Sequence, residues 1–289
     1  MAYQIGHPEV KQIGSEGKAA TFEGKRCLVT GASSGIGYGI AERLLQRGAK
    51  EVWICSRDPQ RIGEAAERLQ KQYGRVVSAA IDVTDAPALN AFVDKMAENG
   101  PIDYVFANAG INIPRAFDEY TDEEFYKVMN VNFFGVYNTD RAVINHMKKQ
   151  GFGYILNVSS MEGYIESGYH TAYAASKHAV LGLTESLRFE YAPQGIKFST
   201  ICPGPVKSNI WGKKADGRIN PDAKAPAEAI SELESADEIF AGIEEDRNII
   251  IVTDTARISW DKKMNHPDSA ERWMVKYTAR NAESRKNRK

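Results

Sequence analysis

The chain has 289 residues, 43% of them hydrophobic and 26% charged, with a formal net charge of −1 at pH 7. A chain of this size can bury one large core, and its near-zero charge gives no general attraction for nucleic acid or an anionic membrane. No stretch reaches the ~18 consecutive apolar residues of a membrane-spanning helix, and Met1 to Ala20 lacks the apolar core of a secretory signal. We therefore expect a cytoplasmic protein with no nucleic-acid or membrane partner.

The first predicted element is a strand at Arg26–Thr30, and a glycine-rich turn follows it at residues 31–37. Gly31 and Gly35 permit backbone angles that side chains forbid, and Gly37 would let the next helix approach the sheet closely. Backbone N–H groups at the start of that helix would face a pyrophosphate. The alternative is a glycine-rich connection without a ligand, because the spacing differs from the commoner Gly-x-Gly-x-x-Gly fingerprint. The predicted dinucleotide site comprises Gly31, Ser33, Ser34, Gly35, Ile36 and Gly37.

A second strand is predicted at Glu51–Cys55 and ends at Ser56 and Arg57, where the ribose of an adenosine would lie. A carboxylate at this step would accept hydrogen bonds from a 2′-hydroxyl and repel a 2′-phosphate, and none is present. The Ser56 hydroxyl and the Arg57 guanidinium suit a phosphate instead. Asp58 could alternatively be the ion-pair partner of Arg57. The sequence therefore favours NADP(H) as cofactor, with NAD(H) as the alternative.

Five further apolar runs predict strands between helix-length segments. The first of them ends at Asp82 and Val83, which we expect at the adenine edge. Such alternation predicts an α/β fold in one domain, a Rossmann-like, doubly wound parallel sheet of about seven strands with helices on both faces. The runs are Val76–Ile81, Ile102–Ala107, Gly153–Val158, Ile196–Cys202 and Asn248–Val252.

Tyr173 and Lys177 lie four residues apart, and Ser160 precedes the tyrosine by 13 positions. A phenol with a pKa near ~10 is a poor acid or base at neutral pH unless a fixed cation stabilises its phenolate. On a helix, residues four apart share a face, so Lys177 could supply that cation. When Tyr173 and Lys177 are considered without the other motifs, the alternative is that they lie on an ordinary exposed helix face. Ser160 lacks the Gly-x-Ser-x-Gly elbow of a hydrolase, and the five histidines show no metal-ligand spacing.

Together these motifs resemble, in order from about Phe22 to about Thr253, the short-chain dehydrogenase/reductase superfamily in its shorter, single-domain form. The cofactor turn and the Ser-Tyr-Lys set match the family's motifs. Asn132 matches its helix asparagine, and the family usually has threonine where this chain has Ser208. The other matching residues are Asn108, Ala109 and Gly110 after the fourth strand, and Pro203, Gly204, Val206 and Ser208 in the segment over the nicotinamide.

The resemblance implies an NADP(H)-dependent oxidoreductase that interconverts a ketone or aldehyde and a secondary alcohol by hydride transfer. Tyr173 would be the general acid/base, and Ser160, rather than its neighbour Ser159, would orient the carbonyl oxygen. Lys177 would hold the nicotinamide ribose and lower the Tyr173 pKa. Asn132 would connect Lys177 to solvent through its backbone carbonyl and a water.

Other functions are open for this sequence. The alternatives are an NAD-dependent dehydrogenase of a steroid-like or sugar-like alcohol, an epimerase or dehydratase of a nucleotide sugar, and a dinucleotide-binding sensor without turnover. The substrate would be a small carbonyl compound or alcohol. Residues expected to line its pocket are Met161, Glu162, Tyr164, Tyr169 and His170.

We expect an N-terminal extension at residues 1–21, a catalytic domain at 22–255 and a C-terminal extension at 256–289. The domain would include a lid at about 205–226, from which Trp211 could shield the nicotinamide. The extension, which carries Trp260, Trp273 and Tyr277, would be a surface helix by default, or a partner contact, or an arm that reaches the pocket. Cys27, Cys55 and Cys202 lie singly in apolar runs, as expected of buried reduced thiols.

A homodimer is expected because two long predicted helices, Asp122–Lys148 and Tyr173–Tyr191, match the helices that pair between subunits in the family. The first carries a broad apolar surface that includes Phe125, Val128 and Val136. A tetramer is possible, although the family's usual Asp-Gly-Gly end is absent.

Overall fold

The computed structural model describes residues 21–211 and 224–286, with side chains described up to residue 279. Seven parallel strands form one sheet in the order β3-β2-β1-β4-β5-β6-β7. The doubly wound α/β fold and its seven strands are therefore confirmed. The strands are β1 Arg26–Thr30, β2 Glu51–Ser56, β3 Val76–Ala80, β4 Tyr104–Ala107, β5 Gly153–Val158, β6 Ile196–Pro203 and β7 Ile249–Val252.

Helices cover both faces of this sheet. Residues of β1 alternate between two apolar cores, with Val29 in the core under α1, α2 and α7, and Leu28 in the core under α3, α5 and α6. Because both faces are buried, the strands read as continuous apolar runs in the sequence. The α-helices are α1 Gly35–Gln46, α2 Pro59–Tyr73, α3 Ala86–Glu98, α4 Asp122–Met129, α5 Gly135–Gln150, α6 Thr171–Tyr191, α7 Glu232–Glu244, α8 Asp254–Asn265 and α9 Pro267–Lys286.

The site is positioned by the reversal of strand order at β1. In the parallel register, Val29 pairs with Ile54 of β2 on one side and with Phe106 of β4 on the other. The chain therefore winds outward in two directions from β1, and the connections after β1 and β4 leave a crevice at the carboxyl ends of the strands. In open α/β sheets, ligands bind in this crevice.

Two predicted segments differ from the structure in detail. Strand β4 begins at Tyr104 rather than Ile102, because the Gln150 side chain bonds both Ile102 N (3.2 Å) and Ile102 O (2.6 Å). The predicted helix Asp122–Lys148 contains a π turn at Asn130–Phe134, between α4 and α5. Its residues Val128 and Val136 are buried in the chain's own core, so they do not form the partner surface that we expected.

Two helices follow β7. Helix α8 already begins at Asp254, and the α8–α9 pair packs on the segment after β5, where Tyr164 meets Trp260 edge to face at 4.9 Å. Residues 1–20 of the expected N-terminal extension and 212–223 of the expected lid lie outside the described residues. Within the described ranges, we find no helix long and apolar enough to cross a membrane.

Candidate active site

The glycine-rich turn between β1 and α1 packs tightly against two neighbouring loops. Gly31 and Gly35 both have positive φ, at 68° and 60°. A Cβ on Gly31 would lie 2.8 Å from Ala109 Cα, and one on Gly35 would lie 2.6 Å from Ser208 Cβ. These positions therefore require glycine, both for their backbone angles and for the close approach of the loops.

The start of α1 is open to a ligand. Ser34 is the N-cap residue, but its side chain makes no capping bond, and the first turn has no acidic residue. The first N–H groups of a helix have no partner within it and carry partial positive charge. Because Ser34, Gly35 and Ile36 line a cavity at the carboxyl ends of the strands, this helix start can accept a pyrophosphate.

The end of β2 presents Ser56 and Arg57 to the same cavity. Ser56 Oγ lies 3.1 Å from Ser33 Oγ. The alternative that Asp58 pairs with Arg57 is not found, because Asp58 caps α2 and pairs with Arg61 at 3.0 Å. Arg57 makes no ion pair with the part of the chain that the structure describes, so its guanidinium is available to a phosphate.

The loops after β3 and β4 complete the cofactor end of the cavity. Asp82 and Val83 line it, and Asp82 Oδ1 accepts from Thr84 N at 2.9 Å. Thr30 Oγ1 accepts from both Asn108 N (3.0 Å) and Ala109 N (3.1 Å). One threonine hydroxyl thus fixes the start of the Asn-Ala-Gly segment to the end of β1.

Helix α6 brings the predicted catalytic side chains into the cavity. Tyr173 and Lys177, one turn apart, line it together with Ser160. The Ser160 side chain lies close enough to the Tyr173 phenol to lower its pKa, and Lys177 Nζ lies 5.6 Å from the centre of the Tyr173 ring. The buried Lys177 ammonium donates to Val158 O at 2.8 Å. The three predicted side chains therefore converge at one point.

The pKa values of this group differ from our expectation. Burial raises the pKa of Tyr173 above its usual value and the Glu162 carboxylate raises it further, while the neighbouring Ser160 side chain lowers it. Burial lowers the pKa of Lys177 to about 8. The predicted lowering of the Tyr173 pKa by Lys177 is not found among the described groups, because burial favours the neutral phenol and the Glu162 charge acts in the same direction.

Ser159 and Ser160 have different partners. Ser159 Oγ donates to Lys177 O at 2.8 Å and so ties β5 to α6. Ser160 caps a short 3₁₀ turn, and its Oγ accepts from Glu162 N at 3.2 Å. Neighbouring residues of an extended chain point in opposite directions, which leaves Ser160 as the hydroxyl beside Tyr173.

Asn132 lies in the π turn and is fully buried. Its Oδ1 accepts from Ile111 N at 2.8 Å, and its Nδ2 donates to Ile111 O at 2.9 Å and to Ser176 Oγ at 3.0 Å. The side chain thereby holds the loop after β4 against α6. The predicted path from its backbone carbonyl to Lys177 stays a prediction.

Most predicted site residues share one cavity of about 510 Å³. Gly37 and Asn132 are not in its wall. Gly37 lies beneath the turn, where a Cβ would come within 2.5 Å of Asn108 Nδ2. The predicted residues in the wall are Gly31, Ser33, Ser34, Gly35, Ile36, Ser56, Arg57, Asp82, Val83, Asn108, Ala109, Gly110, Ser160, Tyr173, Lys177, Pro203, Gly204, Val206 and Ser208.

The substrate end of the cavity differs in part from the prediction. Met161, Glu162 and His170 line it as expected. Tyr164 is buried instead, and its hydroxyl donates to Ala256 O at 2.8 Å. Tyr169, which has a φ of 70°, lines a second cavity between the loop before α6 and α9.

Several residues of the cavity wall were either not predicted there, as with Met274, Asn112 and Ser167, or belong to the extension whose position the sequence leaves open. Trp273, Met274 and Tyr277 reach the wall from α9, and Asn112 and Ser167 reach it from loops. The three α9 residues have spacing suited to one helix face, which was the available signal. Of the three alternatives for the C-terminal extension, the structure supports the arm that reaches the pocket. Across the described ranges, no three His, Cys, Asp or Glu side chains are grouped to hold a metal.

Comparison with known proteins identifies the family. A family model described as short chain dehydrogenase matches residues 25–218. An uncharacterized oxidoreductase of Staphylococcus saprophyticus is 37% identical, over 72% of this chain and 90% of that protein. Glucose 1-dehydrogenase 2 of Bacillus subtilis is 33% identical, over 73% of this chain and 84% of that protein.

Solved structures agree with this assignment. A short chain dehydrogenase from Burkholderia cenocepacia in complex with NADP has a TM-score of 0.72 and 27% identity, over 88% of this chain and 98% of that one. A short chain dehydrogenase from Mycobacterium paratuberculosis bound to NAD has a TM-score of 0.71 and 28% identity, over 81% and 97%. The chain belongs to the short-chain dehydrogenase family, the oxidoreductases that act on CH–OH groups with a nicotinamide dinucleotide.

Proposed function

We propose that this protein is an NADP(H)-dependent oxidoreductase that interconverts a ketone or aldehyde and a secondary alcohol. The observation that carries the proposal is the convergence of Ser160, Tyr173 and Lys177 on one cavity, whose other end holds the open start of α1. A dinucleotide bound there would supply the hydride that a carbonyl carbon accepts. The chain's own residues would then meet the charge that develops on oxygen.

Tyr173 acts as the general acid in the reductive direction. Its hydroxyl gives a proton to the carbonyl oxygen while that oxygen gains negative charge, and the C=O double bond becomes a C–O single bond. Burial raises the pKa of this phenol, which keeps it protonated in the free protein. Ser160 orients the same oxygen through its hydroxyl and forms no covalent bond to it.

Lys177 positions the ribose of the nicotinamide half and provides a cation near Tyr173. Its pKa of about 8, lowered by burial, leaves the ammonium mostly protonated at pH 7. Asn132 supports this arrangement through its hydrogen bonds to Ile111 and Ser176, and its backbone carbonyl is proposed to accept a water in the path that resupplies the proton.

The preference for NADP(H) rests on Arg57. This guanidinium stands at the end of β2, in the cavity wall, while the adjacent acid Asp58 is engaged by Arg61. A 2′-phosphate would be the natural anionic partner of such a group. Among related structures, one contains NADP and another NAD, so fold alone does not decide between them.

A cytoplasmic homodimer is part of the proposal. Four aromatic side chains are exposed on the helices expected to pair between subunits. They are Tyr126 (64% exposed), Phe134 (47%), Tyr137 (41%) and Phe189 (62%). The three cysteines of the chain are buried free thiols, which suits a reducing compartment.

The test is a spectrophotometric screen at 340 nm with NADPH or NADH against a panel of ketones, and with the oxidised cofactors against the matching alcohols. Wild-type protein should oxidise NADPH with at least one ketone. Tyr173→Phe should lower kcat by about 100-fold or more, the range for a lost general acid, while NADPH binding stays within about twofold. Wild-type rates in this variant would refute the assignment of Tyr173.

A further inference from the structure

The substrate end of the cavity has two walls of opposite character. The side that we call the polar wall consists of Asn112, Glu162, Ser167 and His170. The side that we call the aromatic wall consists of Trp273, Met274 and Tyr277 of α9. All seven side chains line the cavity that holds Ser160 and Tyr173. The proposed hydride transfer needs none of them.

Two buried acceptors of the polar wall, Glu162 Oε2 and Asn112 Oδ1, have no donor among the described residues, and the carboxylate is the stronger acceptor of the two. Glu162 Oε1 accepts from Ser167 Oγ at 2.8 Å and lies 3.1 Å from His170 Nδ1. Glu162 Oε2 is buried and has no hydrogen-bond partner among the described residues. An ionised carboxylate only accepts hydrogen bonds, so the missing partner must be a donor. A buried polar atom of this kind requires an explanation.

His170 does not supply that donor. Its Nδ1 lies between Glu162 Oε1 and Asn112 Nδ2, the latter at 3.2 Å. If Nδ1 carries a proton, it can donate to only one neighbouring atom. The two atoms within reach are Glu162 Oε1 and the Asn112 amide, and neither is Glu162 Oε2. The lack of a donor for Glu162 Oε2 therefore does not depend on the tautomer of His170 or on the orientation of the Asn112 amide.

The aromatic wall is held in place by contacts outside the cavity. Ala270 of α9 is buried at 3% exposure, and Thr278 Oγ1 accepts from Gly168 N at 3.2 Å. Trp273 is half-buried, with the Lys262 ammonium 4.8 Å from its ring centre. This anchoring presents an apolar surface to the cavity that the polar wall also lines.

We propose that the substrate is a ketone, or its alcohol, that carries a second hydrogen-bond donor for Glu162 and an apolar surface for Trp273. The proposal rests on the proposed function, because it assigns the substrate class of the same site. The Glu162 carboxylate also disfavours anionic substrates, since a like charge within the wall would repel them.

The polar wall is tested with three ketones of nearly equal size, 4-hydroxycyclohexanone, 4-aminocyclohexanone and 4-methylcyclohexanone. Wild-type protein should reduce the hydroxylated or aminated ketone with a kcat/KM at least about tenfold above that of the methyl ketone, the effect expected for one hydrogen bond to a charged group. The two donor ketones distinguish a hydroxyl from an ammonium. Glu162→Gln should bring the ratio to within about twofold of one, whatever its effect on the rate with the methyl ketone, because the ratio compares two substrates of the same variant.

Glu166→Gln is the matched control for the polar wall. Glu166 lies on the same segment, is paired with Lys263 at 3.0 Å, and is not in the wall of this cavity. This variant should keep the preference of the wild-type protein. Equal loss of preference in both variants would mean that the segment, and not the Glu162 carboxylate, recognises the donor, and the proposal would be wrong.

The aromatic wall is tested with 2-decalone against cyclohexanone. Trp273→Ala should lower kcat/KM for the bicyclic ketone at least about tenfold, through lost apolar contact, and for cyclohexanone less than threefold. Val275→Ala is the control, because Val275 is on the same helix, is 64% exposed and lies outside this cavity. Equal effects of Trp273→Ala on both ketones would refute a role of Trp273 in substrate choice.

Failure of the two proposals can be told apart. If no ketone is reduced with either cofactor, the proposed function fails, and the binding of 1,4-cyclohexanediol and 4-methylcyclohexanol to wild type and Glu162→Gln, measured by calorimetry, still tests the donor preference. Equal affinities in both proteins would overturn it. If ketones are reduced but wild type does not distinguish hydroxyl from methyl, the substrate class is wrong and the oxidoreductase stands.

Discussion

The two ends of the cavity are built in different ways. At the cofactor end, glycine backbone angles, a helix start and strand ends form the wall, and the residues come from segments directly after β1, β2, β3 and β4. At the substrate end, the loop before α6 meets α9, and Gly168 contacts Thr278 across a sequence separation of 110. The first end depends on local backbone geometry, and the second depends on tertiary packing.

This difference explains why a dinucleotide site can be recognised while the substrate cannot. The closely packed turn at Gly31 and Gly35 admits few sequences, so the cofactor end carries a pattern. The substrate end needs only complementary surfaces, which many sequences provide. Changes at either end should therefore have separable effects.

The largest effect on ligand binding is expected at the cofactor end. Gly31→Ala would place a Cβ 2.8 Å from the Ala109 backbone at a φ of 68°, so the turn must move. The dissociation constant of NADPH, measured by fluorescence titration, should rise by about 100-fold or more, which corresponds to about 2.7 kcal/mol. Gly63→Ala is the control, because a Cβ there meets open space. It should leave binding unchanged, and tight binding by the Gly31 variant would contradict the packing argument.

A substitution at the buried Asp140 should alter the stability of the fold without acting selectively on either end of the cavity. Burial raises the pKa of Asp140 to about 8, and the hydrogen bond from Asn157 lowers it. The pKa of Asp140 in the unfolded state is 3.8. Between pH 3.8 and about pH 8, the folded state therefore holds a proton on Asp140 that the unfolded state releases. The Asp140 contribution to stability is present below pH 4 and is lost as the pH rises through 8.

Asp140→Asn should remove this loss. From pH 4 to pH 8, the unfolding free energy of wild type should fall relative to that of the variant by up to about 5 kcal/mol, at about 1.4 kcal/mol per pKa unit. Urea titrations at several pH values measure the difference. Parallel pH profiles of the two proteins would show that Asp140 is not protonated in the folded state.

Cofactor choice gives a smaller, more selective effect. Arg57→Ala should weaken NADPH binding by about 10- to 100-fold, the range for a lost hydrogen bond to a charged group, and leave NADH binding within about twofold. Lys71→Ala is the control, because Lys71 is an exposed cation on α2 that lies outside the cavity wall. Equal weakening of both cofactors by Arg57→Ala would remove the basis for NADP(H).

The smallest effect is expected at the substrate end. A Cβ on Gly168 would lie 2.4 Å from Thr278 Cγ2, so Gly168→Ala should shift α9 and raise KM for a bicyclic ketone by about threefold to tenfold. Thr278→Ala added to it removes the clashing methyl group and should restore KM to within about twofold. NADPH binding should not change in either variant. Loss of cofactor binding here would break the separation of the two ends.

Sequence patterns predicted the sheet and most of the cofactor end because local geometry demands specific residues there. They did not predict the π turn at Asn130–Phe134, which no apolar periodicity distinguishes from an α-helix. The sequence predicts Tyr164 in the pocket, which is wrong because its hydroxyl bonds a backbone carbonyl oxygen of α8. It does not decide among three positions for the segment that carries Trp273. Both positions depend on contacts over about 100 residues of sequence, which no local pattern records. The shifted pKa values of Tyr173 and Lys177 depend on burial, which also follows only from the fold.

Deuterium transfer tests the central claim most directly. NADPH labelled with deuterium at the nicotinamide C4, on one face and then on the other, is incubated with wild-type protein and a reducible ketone, and the alcohol is analysed by mass spectrometry. The account predicts one deuterium at the carbinol carbon from one face of the cofactor, and formation of this product at least about 100-fold more slowly by Tyr173→Phe. Hydrogen from solvent at that carbon, or labelled product formed by Tyr173→Phe at the wild-type rate, would contradict it.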